Sequence, residues 1–295
     1  MKKYFVSIIF LIFVFPSINF SQDQCSSKEL LIRCDDIGMS HSVNLAVEKV
    51  IKTGIPFSAS VMFVCPWYQE AVDILKDHPQ VTVGIHLTLN AEWKNYRWGP
   101  VTGRSAVPSL VDSLGYFFPS RAAFEANHPK LNEIEKELRA QIERAVHSGL
   151  NIKYVDYHMG TAVDKPEYRA ILEKLANEYH LGISRYFGEQ DIPSMYSDPI
   201  ESKADSLYKT LSNINSNQVN LLVCHIGIDN PELQAMTDLN PFGPKEMSKN
   251  RQAELNALIS PKFLEAIKSN HIMLINYEQL ISKVGLQNMK RPEEN

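Results

Sequence analysis

The chain contains 295 residues, of which 44% are hydrophobic and 22% are charged. This composition is ordinary for a folded globular protein and excludes a fibrous or wholly disordered chain. The formal net charge of -4 excludes the broad positive surface that a nucleic-acid partner needs, so we predict no binding to nucleic acid.

Residues 1–21 have the pattern of a secretory signal peptide. Lys2 and Lys3 precede an apolar run at residues 4–15, and Pro16 with small and polar residues follows. A membrane anchor is the alternative, but a spanning helix needs about 20 apolar residues, more than this run provides. We therefore predict cleavage and export to the periplasm or the medium, without stable membrane insertion. Residues 22–295 are predicted to form a single domain.

After this segment, short β-rich runs alternate with helical patterns, which is typical of a parallel sheet with crossover helices. We predict strands at residues 30–34, 56–64, 81–89, 152–157, 182–186, 219–224 and 271–275. We predict helices at residues 40–53, 67–76, 131–149, 168–179, 201–214 and 251–269. About seven βα units in one chain indicate an α/β fold, a deformed (β/α) barrel similar to a TIM barrel.

Residues 90–128 interrupt this alternation and are too long for an ordinary connection between a strand and a helix. The segment is rich in Trp, Tyr, Gly and Pro, so it either covers a substrate or packs on the barrel rim as a structural excursion. Its aromatic residues Trp93, Tyr96 and Trp98 leave the same two readings open, because they could stack on sugar rings or belong to the core.

The four cysteines, at positions 25, 34, 65 and 224, show no close pairing and no Cys-x-x-Cys motif. Cys34, Cys65 and Cys224 each end an apolar run. We therefore predict small buried hydrophobic residues rather than disulfides or reactive thiols.

Acids and imidazoles follow four of the predicted strands. Asp35 and Asp36 follow the first strand, His86 lies near the end of the third, and His158 and His225 follow later strands. In parallel β/α folds the carboxyl ends of the strands share one face, where active sites are built. A helix-capping role is the alternative for Asp36, and a lone histidine is usually an ordinary polar residue. His86, however, is embedded in an apolar run and needs a partner for its ring nitrogens.

One carboxylate and two neutral imidazoles suit a divalent cation with open positions for water or substrate. We predict that Asp36, His86 and His158 bind one such ion, zinc or magnesium. Asp35 would then deprotonate a water activated by the metal, and His225 would protonate the departing amine.

Asp156, two residues before His158, is predicted to lie behind the ligands. It would orient a ligand histidine, as metal-bound imidazoles usually require.

Several segments, in the same order along the chain, resemble the YdjC-like carbohydrate deacetylases. They are Cys-Asp-Asp-Ile-Gly-Met-Ser at residues 34–40 with Asn44, Ser-Ala-Ser-Val-Met at 58–62, Val-Gly-Ile-His-Leu-Thr-Leu at 83–89, Val-Pro-Ser-Leu-Val-Asp at 107–112, Glu-Leu-Arg-Ala-Gln-Ile at 137–142, Val-Asp-Tyr-His at 155–158, Arg185 and Cys-His at 224–225. The resemblance covers most of the predicted mature chain.

The resemblance implies a deformed (β/α) barrel with a divalent cation that hydrolyses the N-acetyl group of amino sugars. Carried over by position, it makes Asp36, His86 and His158 the metal ligands and Asp35 the base. We also assign substrate contacts to four of the matching positions, namely Asn44, Met62, Arg185 and Asp156.

Two departures from the family pattern affect the expected substrate. Met159 and Gly160 follow His158 where the family commonly continues Asp-x-His-x-His, and Ile226 replaces the proline of His-Pro-Gly. The first departure removes an imidazole that would contact substrate. Two alternative functions therefore stay open: a non-catalytic carbohydrate-binding relative, and a metal hydrolase of another amide or ester. The pair Asp35 and Asp36 favours an enzyme, since a pure binder has no use for a base beside the metal.

Overall fold

The computed structural model describes residues 28–241 and 243–292. The predicted signal peptide, Cys25 and the last three residues lie outside this part of the chain. Within it, no helix is both long and apolar enough to cross a membrane.

Eight strands form one sheet in which every pairing is parallel. The strands are β1 (Lys28–Ile37), β2 (Ser58–Val61), β3 (Thr82–Leu87), β4 (Ile152–Tyr157), β5 (Gly182–Ile183), β6 (Gln190–Asp191), β7 (Val219–Cys224) and β8 (Ile272–Ile275). Their order is β5-β4-β3-β2-β1-β7-β6, and β8 pairs with β1. This curled parallel sheet with flanking helices confirms the predicted deformed barrel.

Ten α-helices accompany the strands in the described residues. They are α1 (His41–Thr53), α2 (Tyr68–Lys76), α3 (Arg121–Ala126), α4 (Leu131–Val146), α5 (Pro166–Glu178), α6 (Lys203–Ser212), α7 (Pro231–Gln234), α8 (Met247–Leu258), α9 (Pro261–Ser269) and α10 (Tyr277–Val284). The ends of α1 show how local chemistry sets the boundaries: Ser40 accepts from the Val43 amide at the start, and Gly54 adopts φ 74° at the end.

Strand β1 is the centre of the sheet and pairs with three other strands. β7 runs along one edge of β1 from Glu29 to Cys34. β8 pairs with the first part of the other edge, and β2 pairs with its last part. No pairing joins β5 to β6 in the described chain, so the barrel is open between them.

Several predicted boundaries differ from the structure. The predicted helix at residues 251–269 is two helices, because Ser260 caps a new helix that begins at Pro261. The predicted strand at 182–186 has only two residues, and the short elements β6 and α7 and the helix α10 were not predicted.

The buried face of the sheet brings side chains from separate strands into contact beneath the carboxyl ends of the strands. A Cβ atom on Gly84 of β3 would lie 2.3 Å from Cζ of Tyr154 in β4, so only glycine leaves room for this ring. The Tyr154 hydroxyl in turn lies 2.8 Å from Oγ of Ser60 in β2. Cys34, Cys65 and Cys224 are buried and unbridged, as predicted.

Candidate functional site

Five of the predicted site residues line a single cleft at the carboxyl ends of the strands. Asp35 and Asp36 lie near the end of β1, His86 is in β3, His158 directly follows β4, and His225 directly follows β7. The cleft has a volume of about 520 Å³. Residues as far apart in sequence as 35 and 225 therefore share one cavity, as expected where parallel strands end together.

Three potential ligand atoms meet at the floor of the cleft. Oδ1 of Asp36 lies 3.3 Å from Nε2 of His86 and 3.3 Å from Nδ1 of His158. The two ring nitrogens are themselves 3.3 Å apart. All three residues are buried, and Oδ1 of Asp36 has no hydrogen-bond partner in the described chain. Buried carboxylate oxygens are normally satisfied, so this arrangement points to a ligand.

The spacing of these atoms fits a divalent cation. A cation with bonds of about 2.0–2.1 Å and tetrahedral angles separates its ligand atoms by about 3.3–3.4 Å. The three distances of 3.3 Å agree with this separation. Three protein ligands would leave a further position facing the cleft, which is the arrangement of catalytic rather than structural sites.

Asp36 is held from behind by an arginine of α8. Nη2 of Arg251 donates to Oδ2 of Asp36 at 2.5 Å, which leaves Oδ1 directed at the histidines. Burial alone would raise the pKa of Asp36, but Arg251 and the two histidines hold it well below its ordinary value. The backbone of Asp36 also has φ 62°, a conformation that is uncommon for residues other than glycine and that clusters at functional sites.

Each histidine has a carboxylate partner on its outer ring nitrogen. Nδ1 of His86 lies 2.7 Å from Oδ1 of Asp156, and Nε2 of His158 lies 2.9 Å from Oε2 of Glu92. Burial lowers the pKa of His158, but Glu92 and Asp36 outweigh this effect and raise the pKa to about 9. Ligation requires neutral imidazoles, so binding of a cation would release any proton that these rings carry.

Asp35 is fixed by a buried arginine in its own strand. Nε and Nη2 of Arg33 donate to the two carboxylate oxygens of Asp35, each at 2.7 Å. The same Nε lies 2.8 Å from Oδ2 of Asp156, which also accepts from Ser60 at 2.7 Å. Arg33 therefore connects the predicted base to the partner of His86.

His225 lines the cleft and is positioned through its backbone. Its amide donates to Oε2 of Glu254 at 2.7 Å, and its ring centroid lies 5.0 Å from that of Tyr196. Glu254 is buried, which raises its pKa, and Nζ of Lys203 lies 3.6 Å from its carboxylate. Nδ1 of His225 has no hydrogen-bond partner in the part of the chain that the structure describes.

Comparison with known proteins identifies the family. The family model described as YdjC-like protein matches residues 29–269. The chain belongs to the YdjC-like family. A carbohydrate deacetylase of Brevibacillus brevis is 30% identical over 261 residues, which cover 85% of this chain and 99% of the relative. A carbohydrate deacetylase of Enterococcus faecalis is 28% identical over 268 residues, covering 86% and 99%.

Solved structures support the same fold for this YdjC-like protein. A crystal structure of an Enterococcus faecalis protein proposed to cleave cellobiose phosphate has a TM-score of 0.70 at 24% identity, covering 86% of this chain and 99% of that one. The Xyl-CE4 domain of a multidomain xylanase from the hindgut metagenome of Trinervitermes trinervoides has a TM-score of 0.51 at 10% identity, covering 90% and 94%.

Two of the four residues assigned to substrate contact lie in or directly behind the cleft of the YdjC-like protein. Arg185 lines the cleft, where its guanidinium pairs with Asp191 at 2.5 and 2.7 Å. Asp156 lies behind His86, in the predicted orienting position.

Asn44 and Met62 are not among the residues that line the cleft, and their contact with substrate stays a prediction. Asn44 is buried and uses its amide to hold Gly38 and Trp67, while Met62 belongs to the hydrophobic core.

The segment 90–128 is partly a structural excursion and partly a wall of the site. Trp98 is 4% exposed and belongs to the core, whereas Trp93, which is 1% exposed, packs in the core and also lines the cleft. Tyr96 is partly buried and donates to the Met39 carbonyl at 2.5 Å. Near its start, however, the segment contributes Glu92 to the cleft.

Three residues that contact the predicted site were not found from the sequence, namely Arg33, Glu92 and Arg251. Arg33 carried a usable signal, since it is the one charged residue within the apolar run of residues 30–34. Glu92 and Arg251 lie in segments without a distinguishing pattern, and their contacts to His158 and Asp36 exist only in the folded chain.

Proposed function

We propose that this YdjC-like protein is a metal-dependent hydrolase that removes the acetyl group from an N-acetylated amino sugar or oligosaccharide. The observation that carries the proposal is the convergence of Oδ1 of Asp36, Nε2 of His86 and Nδ1 of His158 at mutual distances of 3.3 Å beside Asp35. The relatives named carbohydrate deacetylases support the reaction class and the substrate class.

Asp36, His86 and His158 would hold the cation. A divalent ion bound there would polarise the acetyl carbonyl and lower the pKa of the attacking water. Two imidazoles and the tetrahedral spacing of the ligand atoms favour zinc over magnesium, which prefers oxygen ligands in octahedral geometry. We therefore propose zinc as the ion.

Asp35 would accept a proton from the attacking water. It lies near the end of β1 beside the proposed ligand Asp36, and both residues line the same cavity. Arg33 binds both of its oxygens, so the carboxylate is held in one orientation, and each oxygen keeps a lone pair for a further partner. General-base catalysis depends on this kind of fixed geometry.

His225 would give a proton to the leaving amine. It reaches the cleft from β7, which neighbours β1. Its backbone amide is held by Glu254 of α8, which anchors the chain at this point of the cleft. Cleavage of the amide bond then releases acetate, while the amino sugar leaves with the proton from the imidazole.

Acetate release from N-acetylglucosamine oligomers tests the proposed reaction. We expect the purified protein to release acetate, a chelator to abolish the release, and added Zn²⁺ to restore it. Zinc should also be the main metal in untreated protein. Metal binding without hydrolysis across panels of amides and esters would instead identify a carbohydrate-binding relative. Hydrolysis restricted to other acyl groups would identify a different metal hydrolase.

We also propose that the protein acts outside the cytoplasm, where it would meet a polysaccharide or a wall fragment. The support is the sequence of residues 1–21, with its basic start and apolar run. N-terminal sequencing of protein recovered from cell fractions should give a mature chain that begins near residue 22. Recovery of the uncleaved chain from the cytoplasm alone would contradict export.

A further inference from the structure

Glu92 is a buried carboxylate whose position is fixed by the backbone around it. The residue is only 5% exposed. Its backbone carbonyl oxygen accepts a hydrogen bond from the backbone amide of Leu239 at 2.8 Å. The next two residues continue this backbone pairing. Trp93 forms an isolated antiparallel β-bridge with Asp238, and the Lys94 amide donates to the backbone carbonyl of Thr237 at 2.8 Å. The pairing places the Glu92 side chain at the cleft.

The contact of Glu92 determines which nitrogen of His158 faces the ligand cluster. Nε2 of His158 lies 2.9 Å from Oε2 of Glu92, while Nδ1 lies 3.3 Å from Oδ1 of Asp36. An ionised carboxylate only accepts hydrogen bonds, so the proton belongs on Nε2 and the lone pair on Nδ1. The other tautomer would lose the bond to Glu92 and turn an N–H toward the position of the cation.

The two ligand histidines use opposite ring nitrogens, and each needs its own partner. His86 presents Nε2 to the cluster and is held through Nδ1 by Asp156. His158 presents Nδ1 and is held through Nε2 by Glu92. Asp156 lies in strand β4 of the sheet. Glu92, in contrast, lies in the segment 90–128 that interrupts the barrel.

We propose that Glu92 is a positioning residue that fixes His158 as an Nδ1 ligand and so makes this segment part of the metal centre. The inference rests on the proposed metal-dependent function and deepens it. The affinity for the cation should therefore depend on how strongly the side chain at position 92 accepts a hydrogen bond. Removal of such a partner typically weakens metal binding by about 10–100-fold.

Competition between the protein and a chelator for Zn²⁺ tests this role. Glu92→Met keeps the length and packing of the side chain but accepts no strong hydrogen bond, so we expect Zn²⁺ binding to weaken by about 10–100-fold. Glu92→Gln retains an amide oxygen as acceptor, and we expect a smaller loss than for Glu92→Met. Glu133→Gln is the matched control, because Glu133 is a buried carboxylate that binds Ser109 away from the site and should leave Zn²⁺ affinity unchanged.

Nitrogen NMR of the Zn²⁺-loaded wild-type protein gives a second test that needs no variant. We expect His158 to bind the ion through Nδ1 and to carry its proton on Nε2. Ligation through Nε2, or an unchanged affinity in a folded Glu92→Met protein, would overturn the role of Glu92 alone. Wild-type protein that binds no Zn²⁺ would overturn the metal centre and this inference together. Zn²⁺ binding without acetate release would count only against the proposed function.

Discussion

Replacement of Asp35 by Asn should reduce acetate release by about 10²–10⁴-fold while the protein stays folded and keeps its metal. The amide has the shape of the carboxylate but cannot accept a proton from water. Arg33 keeps its contact with Asp156, so its charge is not left unpaired in the core. The measurement is the steady-state rate on N-acetylglucosamine oligomers, with metal content and melting temperature determined on the same sample.

Asp73→Asn is a suitable control for this prediction, because it makes the same chemical change on α2, away from the cleft-lining residues. We expect it to keep the wild-type rate. An Asp35→Asn protein with full metal content and a rate within a few-fold of wild type would show that Asp35 is not the base, and the proton acceptor would have to be sought elsewhere in the cleft.

Removal of either ligand imidazole should abolish stable metal binding. In His86→Ala and His158→Ala, one carboxylate and one imidazole remain, so we expect the affinity to fall by more than the roughly 10–100-fold that loss of a supporting partner causes. Acetate release should be lost with it. The measurement is Zn²⁺ content after dialysis, followed by titration against a competing chelator.

His147→Ala is the matched control, since His147 is an exposed histidine at the end of α4 and should leave the metal content unchanged. Loss of His86 leaves the carboxylate of Asp156 without its imidazole partner, which could destabilise the fold. His86→Gln keeps a hydrogen-bonding group at this position and gives a folded alternative. Full metal occupancy in a folded variant at position 86 or 158 would show that the ligand assignment is wrong.

The position of the site was accessible from the sequence because strand periodicity and parallel topology together determine where strand ends meet. Asp36, His86 and His158 each follow or end a strand-like run, and parallel strands direct such residues to one face. The structure brings these three side chains together. The family assigned from the motifs is likewise confirmed.

Element boundaries were less accessible where the local pattern was short or continuous. The two-residue strand β6 is too brief to show an alternation of apolar and polar side chains. In the region 251–269 the helical repeat continues past the real break. Only the cap formed by Ser260 with Pro261 separates α8 from α9.

The identity of the side chains behind the ligands could not be read from local sequence, because these contacts join distant segments. Arg251 binds Asp36 across a separation of 215 residues, and Glu92 reaches His158 from a segment without regular structure near its start. The periodicity of apolar residues along the chain carries no information about such a contact. The burial of Trp93 and Trp98 could not be read from local sequence either, since the sequence was compatible with both a core and a sugar-stacking role.

The sequence by itself determined the family, the parallel β/α architecture and the residues that could ligate a cation, because strand patterns and residue chemistry are local properties. Tertiary structure alone decided which nitrogen of each histidine faces the cluster of potential ligands, which oxygen of Asp36 is available and which charges support them. These choices depend on hydrogen bonds between side chains that become neighbours only when the sheet curls around its first strand.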